Sequence, residues 1–257
     1  MSNNIVVFSN NNDQINDGGI WSPSLITTEA WFDASDASTI DLREDTYVVQ
    51  WDDKSGNNRY ASQGTAADQP TYSSSDSLAN NLPTIKGLSS TDSGFLTFNE
   101  NISTREIFVV TYYKDGLDVG FDSYNYLFSG PSSPNDTPRW LGDGGGGATK
   151  SNWFTTGTRV VDQHYRDGSD SSTQVALPMP LTLWRARHST TAGNLNRVLG
   201  SNQYKTSRNW DGGIGEVIIF SSLQDEDTIH KVEGYLAWKW GLTTSLPSAH
   251  PYKNVLP

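Results

Sequence analysis

Gly213-Ile214-Gly215-Glu216-Val217-Ile218-Ile219-Phe220, followed by the segment Ser221 to Trp240 and then Gly241-Leu242, is the stretch around which the chain is organised. Val217 to Phe220 is an unbroken β-branched and aromatic run, the composition of a strand buried on both faces. Ser222 stands three residues before Asp225, and Glu226 and Asp227 follow, so a hydroxyl cap and an acidic first turn point to a helix start there. Ile229, Val232, Leu236 and Trp240 then recur at three- and four-residue steps, which marks one helical face. Tyr235 and Trp238 widen that face, as expected of a helix clamped on a sheet. Gly241 suits a left-handed cap, and Pro247 and Pro251 bar continuation, so a single helix of roughly four turns is predicted.

Upstream of this stretch the pattern is all β from Trp31 onward. Tyr47 to Trp51, Pro70-Thr71-Tyr72, Pro83 to Ile85, Phe95 to Phe98, Ile107 to Tyr113, Tyr126 to Phe128, Arg139 to Leu141, Arg159 to Val161 and Leu181 to Arg187 read as strands. Ser73 to Asn81 reads as a polar loop. Four consecutive glycines, Gly144 to Gly147, have no side chains to pack and lose much entropy on ordering, so they are expected in a mobile loop flanked by Trp140 and Trp153. No internal repeat emerges.

Three stretches carry a resemblance to a known family. Glu233-Gly234-Tyr235-Leu236-Ala237-Trp238-Lys239-Trp240-Gly241-Leu242, with Leu246-Pro247 and His250-Pro251-Tyr252, is similar to the terminal signature of concanavalin A-like, laminin-G-like domains of marine bacterial and tailed-phage surface proteins. Trp31-Phe32-Asp33-Ala34-Ser35-Asp36 and Trp51-Asp52-Asp53-Lys54-Ser55-Gly56-Asn57 match the same pattern in family order. The resemblance covers about residues 29 to 253. It implies a two-sheet antiparallel jelly-roll sandwich over residues 29–257 with one short C-terminal helix, preceded by an arm and linker over residues 1–28. Members of this family bind sugars, bind proteins, cleave glycans or build particles, so function does not follow from the fold.

Composition narrows the classes. Nine Trp, nine Phe and eleven Tyr suffice for a substantial core, against disorder throughout. Eighteen basic against twenty-nine acidic residues give a formal charge of −11, which repels nucleic-acid phosphates and anionic membranes. With no cysteine, disulfides, thiolate zinc sites and thiol nucleophiles are excluded. No stretch approaches the roughly 20 apolar residues of a membrane span, and Met1-Ser2-Asn3-Asn4 lacks the basic and apolar regions of a secretory signal. Together with the resemblance to phage surface proteins this fits a protein made in a host cytoplasm and carried on a virion surface, although a plain cytoplasmic protein has the same signature. Its expected partners are other virion proteins, copies of itself and cell-surface glycans, with no nucleic acid and no membrane insertion.

Candidate sites follow from residue chemistry. Asp52, Asp53 and Asn57, around the turn-permitting Gly56, offer the oxygen ligands that calcium prefers, although Asx residues also build plain turns. Trp140, Asp143, Asn152, Trp153 and His164, with Tyr165 beside it, combine aromatic planes with acidic and amide groups, the elements of a glycan site. Trp31, Trp51, Trp184 and Trp240 are expected in the core. Ile5, Val6, Val7 and Phe8, tethered by an Asn-rich linker, form a candidate assembly arm, and equally read as a first strand followed by a long turn. For an enzyme the signals are poor: there is no E-x-D-x-E strand of the kind glucanases with this fold carry, no nucleophile elbow and no H-E-x-x-H. Glu216 stands alone, and His164, His188, His230 and His250 are scattered without metal-ligand spacing. A non-enzymatic virion surface protein with a lectin-like domain, on capsid or tail, is expected, with a bacterial carbohydrate-binding module and, less favoured, a glycan hydrolase as the alternatives.

Overall fold

A computed structural model describes residues 21–87, 94–114, 126–132, 137–142, 152–153, 163–170, 175–176, 178–188, 192–200 and 209–257. Its first strands are β1 (Ala30–Asp33), β2 (Ile40–Arg43), β3 (Tyr47–Asp52), β4 (Tyr60–Ser62), β5 (Thr71–Asp76), β6 (Leu82–Lys86), β7 (Leu96–Thr104) and β8 (Glu106–Tyr113). There follow β9 (Tyr126–Ser132), β10 (Thr137–Gly142), β11 (Asn152–Trp153), β12 (Gln163–Arg166), β13 (Ser169–Asp170) and β14 (Val175–Ala176). The last strands are β15 (Met179–Arg187), β16 (Gly193–Val198) and β17 (Gly212–Phe220), and then comes the helix α1 (Glu226–Lys239).

Fifteen of these strands pair in one antiparallel, curled sheet in the order β10-β9-β16-β7-β4-β3-β5-β6-β17-β8-β15-β12-β13, with β1 added on β17 and β2 on β3. β11 and β14 form a separate two-stranded ladder. The expected sandwich is present, but its two leaves are joined by hydrogen bonds along one continuous strand path. Strands from distant parts of that path supply a common core, where Phe32 of β1 meets Trp51 of β3 at 5.2 Å and Phe98 of β7 at 5.5 Å.

β17 and β8 are buried at every residue, as the apolar run predicts. Their alternation serves two cores. Val217 and Ile219, with Ile107 and Val109 of β8, face the space between the leaves, whereas Ile218 and Phe220, with Phe108 and Val110, face the helix. A register shift between Ile214 and Glu216 marks the point where the other neighbour of β17 changes from β6 to β1. All four tryptophans expected in the core are there: Trp51 and Trp184 between the leaves, Trp31 and Trp240 under the helix.

α1 buries Ile229, Val232, Leu236 and Trp240, the face read from its periodicity. Its N-cap is Asp225, whose carboxylate accepts the Thr228 N–H at 2.8 Å, and not Ser222, which is occupied with the Gln224 side chain. At the other end Gly241 is left-handed, and the Leu242 N–H reaches the Ala237 carbonyl at 2.7 Å, closing a Schellman motif. The expected polar loop from Ser73 begins as strand, because β5 continues to Asp76. There a buried carboxylate accepts the Thr84 and Tyr112 hydroxyls, each at 2.6 Å, and fixes the strand end. Among the described residues no helix is long and apolar enough to cross a membrane.

Candidate functional site

Among the described residues, the three calcium candidates are engaged with different groups. Asp53 is spent on its own turn: its Oδ1 accepts the N–H groups of Trp31 at 2.6 Å and Ser55 at 2.9 Å, and its Oδ2 accepts the Ser55 hydroxyl. Asp52, exposed at the end of β3, takes the Gln50 amide at 2.7 Å, while the Asn57 Nδ2 donates to the carbonyls of Thr28 and Glu29. The three therefore face three different partners. Trp140 lies in β10 opposite Phe128, Asn152 and Trp153 lie in the separate β11–β14 ladder, and His164 is buried in β12 opposite Ala186. β10 and β12 sit near opposite ends of the strand path. Tyr165, next to His164, is covered by the Arg185 guanidinium at 3.5 Å from its ring centre. Asp143 and the arm residues Ile5, Val6, Val7 and Phe8 lie outside the described residues.

What does converge is a set of charges beneath the helix. β1 pairs with β17 so that Asp33 stands opposite Glu216, and the alternation of both strands turns the two carboxylates to the helix side, along with Trp31 and Ile218. Like charges directly opposite each other on a sheet repel, so a cation is required between them. Lys239, in the last turn of α1, supplies it, with Nζ 2.8 Å from Asp33 Oδ1 and 2.7 Å from Glu216 Oε2. Its positive charge also suits the helix C-terminus. A second cation, Lys54, lies 3.0 Å from Asp33 Oδ2 and 2.9 Å from Asp36 Oδ2, over the Trp31 ring.

Glu216 is fully buried and saturated with donors. Its Oε1 accepts the Trp31 indole N–H at 2.7 Å and the Tyr235 hydroxyl at 2.9 Å, and its Oε2 accepts the Trp240 indole N–H at 2.8 Å beside Lys239. Trp31, Trp240 and Lys239 can only donate, so these hydrogen bonds fit the ionised carboxylate. Burial raises the proton affinity of Glu216 above the ordinary carboxylate range, with Lys239 opposing and Asp33 adding to the rise. At Asp33 burial works in the same upward direction, but Lys239 and Lys54 together outweigh it and hold the carboxyl below its ordinary range. The Tyr235 hydroxyl is pushed well up by burial and by Glu216. The three stretches that carry the family resemblance thus meet in one clasp: Asp33 and Asp36 from the first, Lys54 from the second, Tyr235, Lys239 and Trp240 from the third.

A second charged cluster lies under the other half of α1. Glu106, fully buried at the start of β8, accepts Arg185 at 2.9 Å, Arg187 at 2.8 Å and the Gln224 N–H at 2.7 Å. Arg185 reaches on to Glu233 of the helix at 3.3 Å, and Glu233 Oε2 meets His250 Nε2 at 3.3 Å. His230 joins here, its ring 5.0 Å from that of His250. The histidines expected to be scattered are in this case brought together, and the donor atoms of His230, Glu233 and His250 lie within 4.8 Å of one another. The tautomer speaks for a lock on the C-terminal tail: His250 Nδ1 accepts the Tyr252 N–H at 3.2 Å, so the neutral ring carries its proton on Nε2, aimed at Glu233. A metal bound through Nε2 would have to displace that proton and forfeit the backbone bond.

An open polar groove of about 360 Å³ is lined by Thr27, Thr28, Asn57, Ser222, Gln224 and Thr228, among others. Its hydroxyls and amides are the kind of group that meets a polyhydroxylated ligand.

Glu216, which the sequence offers only as an isolated carboxylate, and Lys239, Glu106 and Arg185 are not among the sequence-predicted site residues. The available signal was an acidic residue inside an apolar strand run and a lysine between two tryptophans, since such charges are buried only when paired. No protein-family model, curated protein or solved structure matches this chain.

Proposed function

We propose that this chain is a non-enzymatic surface protein of a tailed-phage virion, a jelly-roll domain displayed on capsid or tail and held there by other virion proteins and by copies of itself. The observation that supports this reading is the clasp. The charged and aromatic residues of the three signature stretches are used on one another, with Asp33 and Glu216 buried, whereas a hydrolase must offer its carboxylates to a substrate. Signature residues spent on internal bonds belong to a scaffold whose contacts with the outside are made elsewhere. The formal charge of −11 and the absence of cysteine suit a soluble display domain whose stability rests on its core and its buried ion pairs.

Mass spectrometry of purified particles, and electron microscopy of particles from a phage lacking the gene, test the proposal. The chain should be present in the particle at a fixed copy number, and a surface feature should vanish with the gene. A chain found only in the soluble fraction of the lysate, with unaltered particles, would overturn it. A second reading, a glycan-binding module, is favoured by the polar groove between the segment Ile26 to Glu29 and the start of α1. A glycan array decides it: specific binding lost in Thr28→Val with Gln224→Ala supports the groove, and binding unchanged in that variant excludes it.

A further inference from the structure

We propose that Lys239 and Asp33 are joined by an intramolecular isopeptide bond, formed without any cofactor and promoted by Glu216. The inference goes beyond the functional reading above and does not depend on it. Three features carry it. First, the amine and the carboxyl are already in contact, with Lys239 Nζ 2.8 Å from Asp33 Oδ1, and both side chains are less than a tenth exposed. Holding two reactants in this way replaces a bimolecular encounter with a positioned, effectively unimolecular one. Second, a fully buried carboxylate, Glu216, lies 2.7 Å from the same nitrogen and can carry a proton between the partners. Third, Lys54 lies 3.0 Å from the other oxygen of Asp33, where its ammonium stabilises the negative charge that develops as the carbonyl carbon is attacked.

The step balances as a condensation. Glu216 takes a proton from the Lys239 ammonium and passes it to Oδ1 of Asp33, and the freed amine attacks Cγ of the now neutral carboxyl group, forming the Nζ–Cγ bond. The negative charge that develops collects on Oδ2 against Lys54. A second proton then passes from nitrogen by way of Glu216 to Oδ1, the Cγ–Oδ1 bond breaks, and one water leaves. An ammonium and a carboxylate become a neutral amide plus water, with no oxidant or reductant. In water this direction is unfavourable. Here the reactants are a buried ion pair, so the loss of two desolvated charges drives the reaction forward. Afterwards Glu216 keeps the Trp31, Tyr235 and Trp240 donors. The raised proton affinity of Glu216 suits it to the role of carrier. In a chain with no cysteine the bond would tie the first described strand to the only described α-helix, the work a disulfide does elsewhere.

Intact-mass spectrometry of the full-length chain under denaturing conditions, followed by peptide mapping, reads this directly. The expected result is a mass lower by one water than the sequence requires, and one branched peptide linking the segment with Asp33 to that with Lys239. Lys239→Arg and Glu216→Gln should restore the full sequence mass. A wild-type chain at full mass with only linear peptides overturns the proposal, whether or not the variants fold. A branch at Lys54 in place of Lys239 overturns the assignment of the nucleophile.

Discussion

Gly234→Ala sets two known magnitudes against each other. Gly234 lies inside α1, and in an exposed helix interior the change to alanine is worth about 0.8–1.0 kcal/mol in favour of the helix. Gly234 is buried, however, under Tyr252 of the C-terminal tail. A Cβ added there would stand 2.5 Å from Tyr252 Cβ and 2.9 Å from its Cγ, well inside the roughly 3.5–4.0 Å at which carbon atoms attract. Tyr252 cannot drift aside freely. Its N–H is held by His250 Nδ1 at 3.2 Å, and its carbonyl accepts the Trp238 indole N–H at 2.8 Å. Overpacking costs about 1–3 kcal/mol, and losing one of those hydrogen bonds adds about 1 kcal/mol. The net expectation is a destabilisation of about 1–3 kcal/mol, opposite in sign to the propensity effect. Urea unfolding followed by far-UV circular dichroism measures it as a lower midpoint at unchanged slope. In a Tyr252→Gly background, which removes the clashing Cβ as well as the ring, the same substitution should become stabilising by up to about 1 kcal/mol. If Gly234→Ala raises the midpoint in the otherwise native chain, the tail is not packed on the helix as described and the reasoning fails.

Glu106→Gln should cost about 3–5 kcal/mol, because Arg185 is left buried with only Glu233 as counter-charge; a urea midpoint within experimental error of wild type would contradict this. Asp76 governs part of the acid limb of stability. Burial opposes its ionisation, but hydrogen bonds from Thr84 and Tyr112, the Leu78 N–H and Lys86 outweigh it and hold its carboxyl below the ordinary range. Its contribution is therefore complete above the unfolded value of about 3.9 and is lost as pH falls toward the folded one, so Asp76→Asn should flatten the drop in melting temperature below about pH 4. An acid limb of unchanged steepness would assign it to other groups. Asp53→Ala removes the acceptor for the N–H groups of Trp31 and Ser55 and should cost about 1–3 kcal/mol with or without calcium. A wild-type melting temperature that falls on adding chelator would show instead that the turn holds an ion.

Local pattern carried the sequence reading a long way. The run Val217 to Phe220 is apolar on both faces because β17 is covered on one side by the facing leaf and on the other by α1, and either environment selects the same residue types. The three- and four-residue spacing of Ile229, Val232, Leu236 and Trp240, the stop at Gly241 and the four core tryptophans were legible for the same reason: each is a property of one segment and its repeat. The cap was misplaced by three residues because Ser222 and Asp225 are both good caps, and the choice between them rests on where the preceding strand lets go of the chain.

The clasp was not legible. Asp33, Lys54, Glu216 and Lys239 come from separate segments of the sequence, and even where the apolar neighbours of Glu216 and Lys239 point to burial, nothing local says which charge meets which. Only the register of β1 on β17 sets the two carboxylates side by side, and only the docking of the last turn of α1 lowers Lys239 between them. The same holds for His230 and His250, joined by the return of the tail along the helix, and for Glu106 with Arg185, joined by the pairing of β8 with β15. Backbone periodicity is written into neighbouring residues, because it reports which face of a segment meets water. Which charges share a buried site depends on strand register and helix docking, and those arise only when distant segments close on one another and must neutralise what they bury.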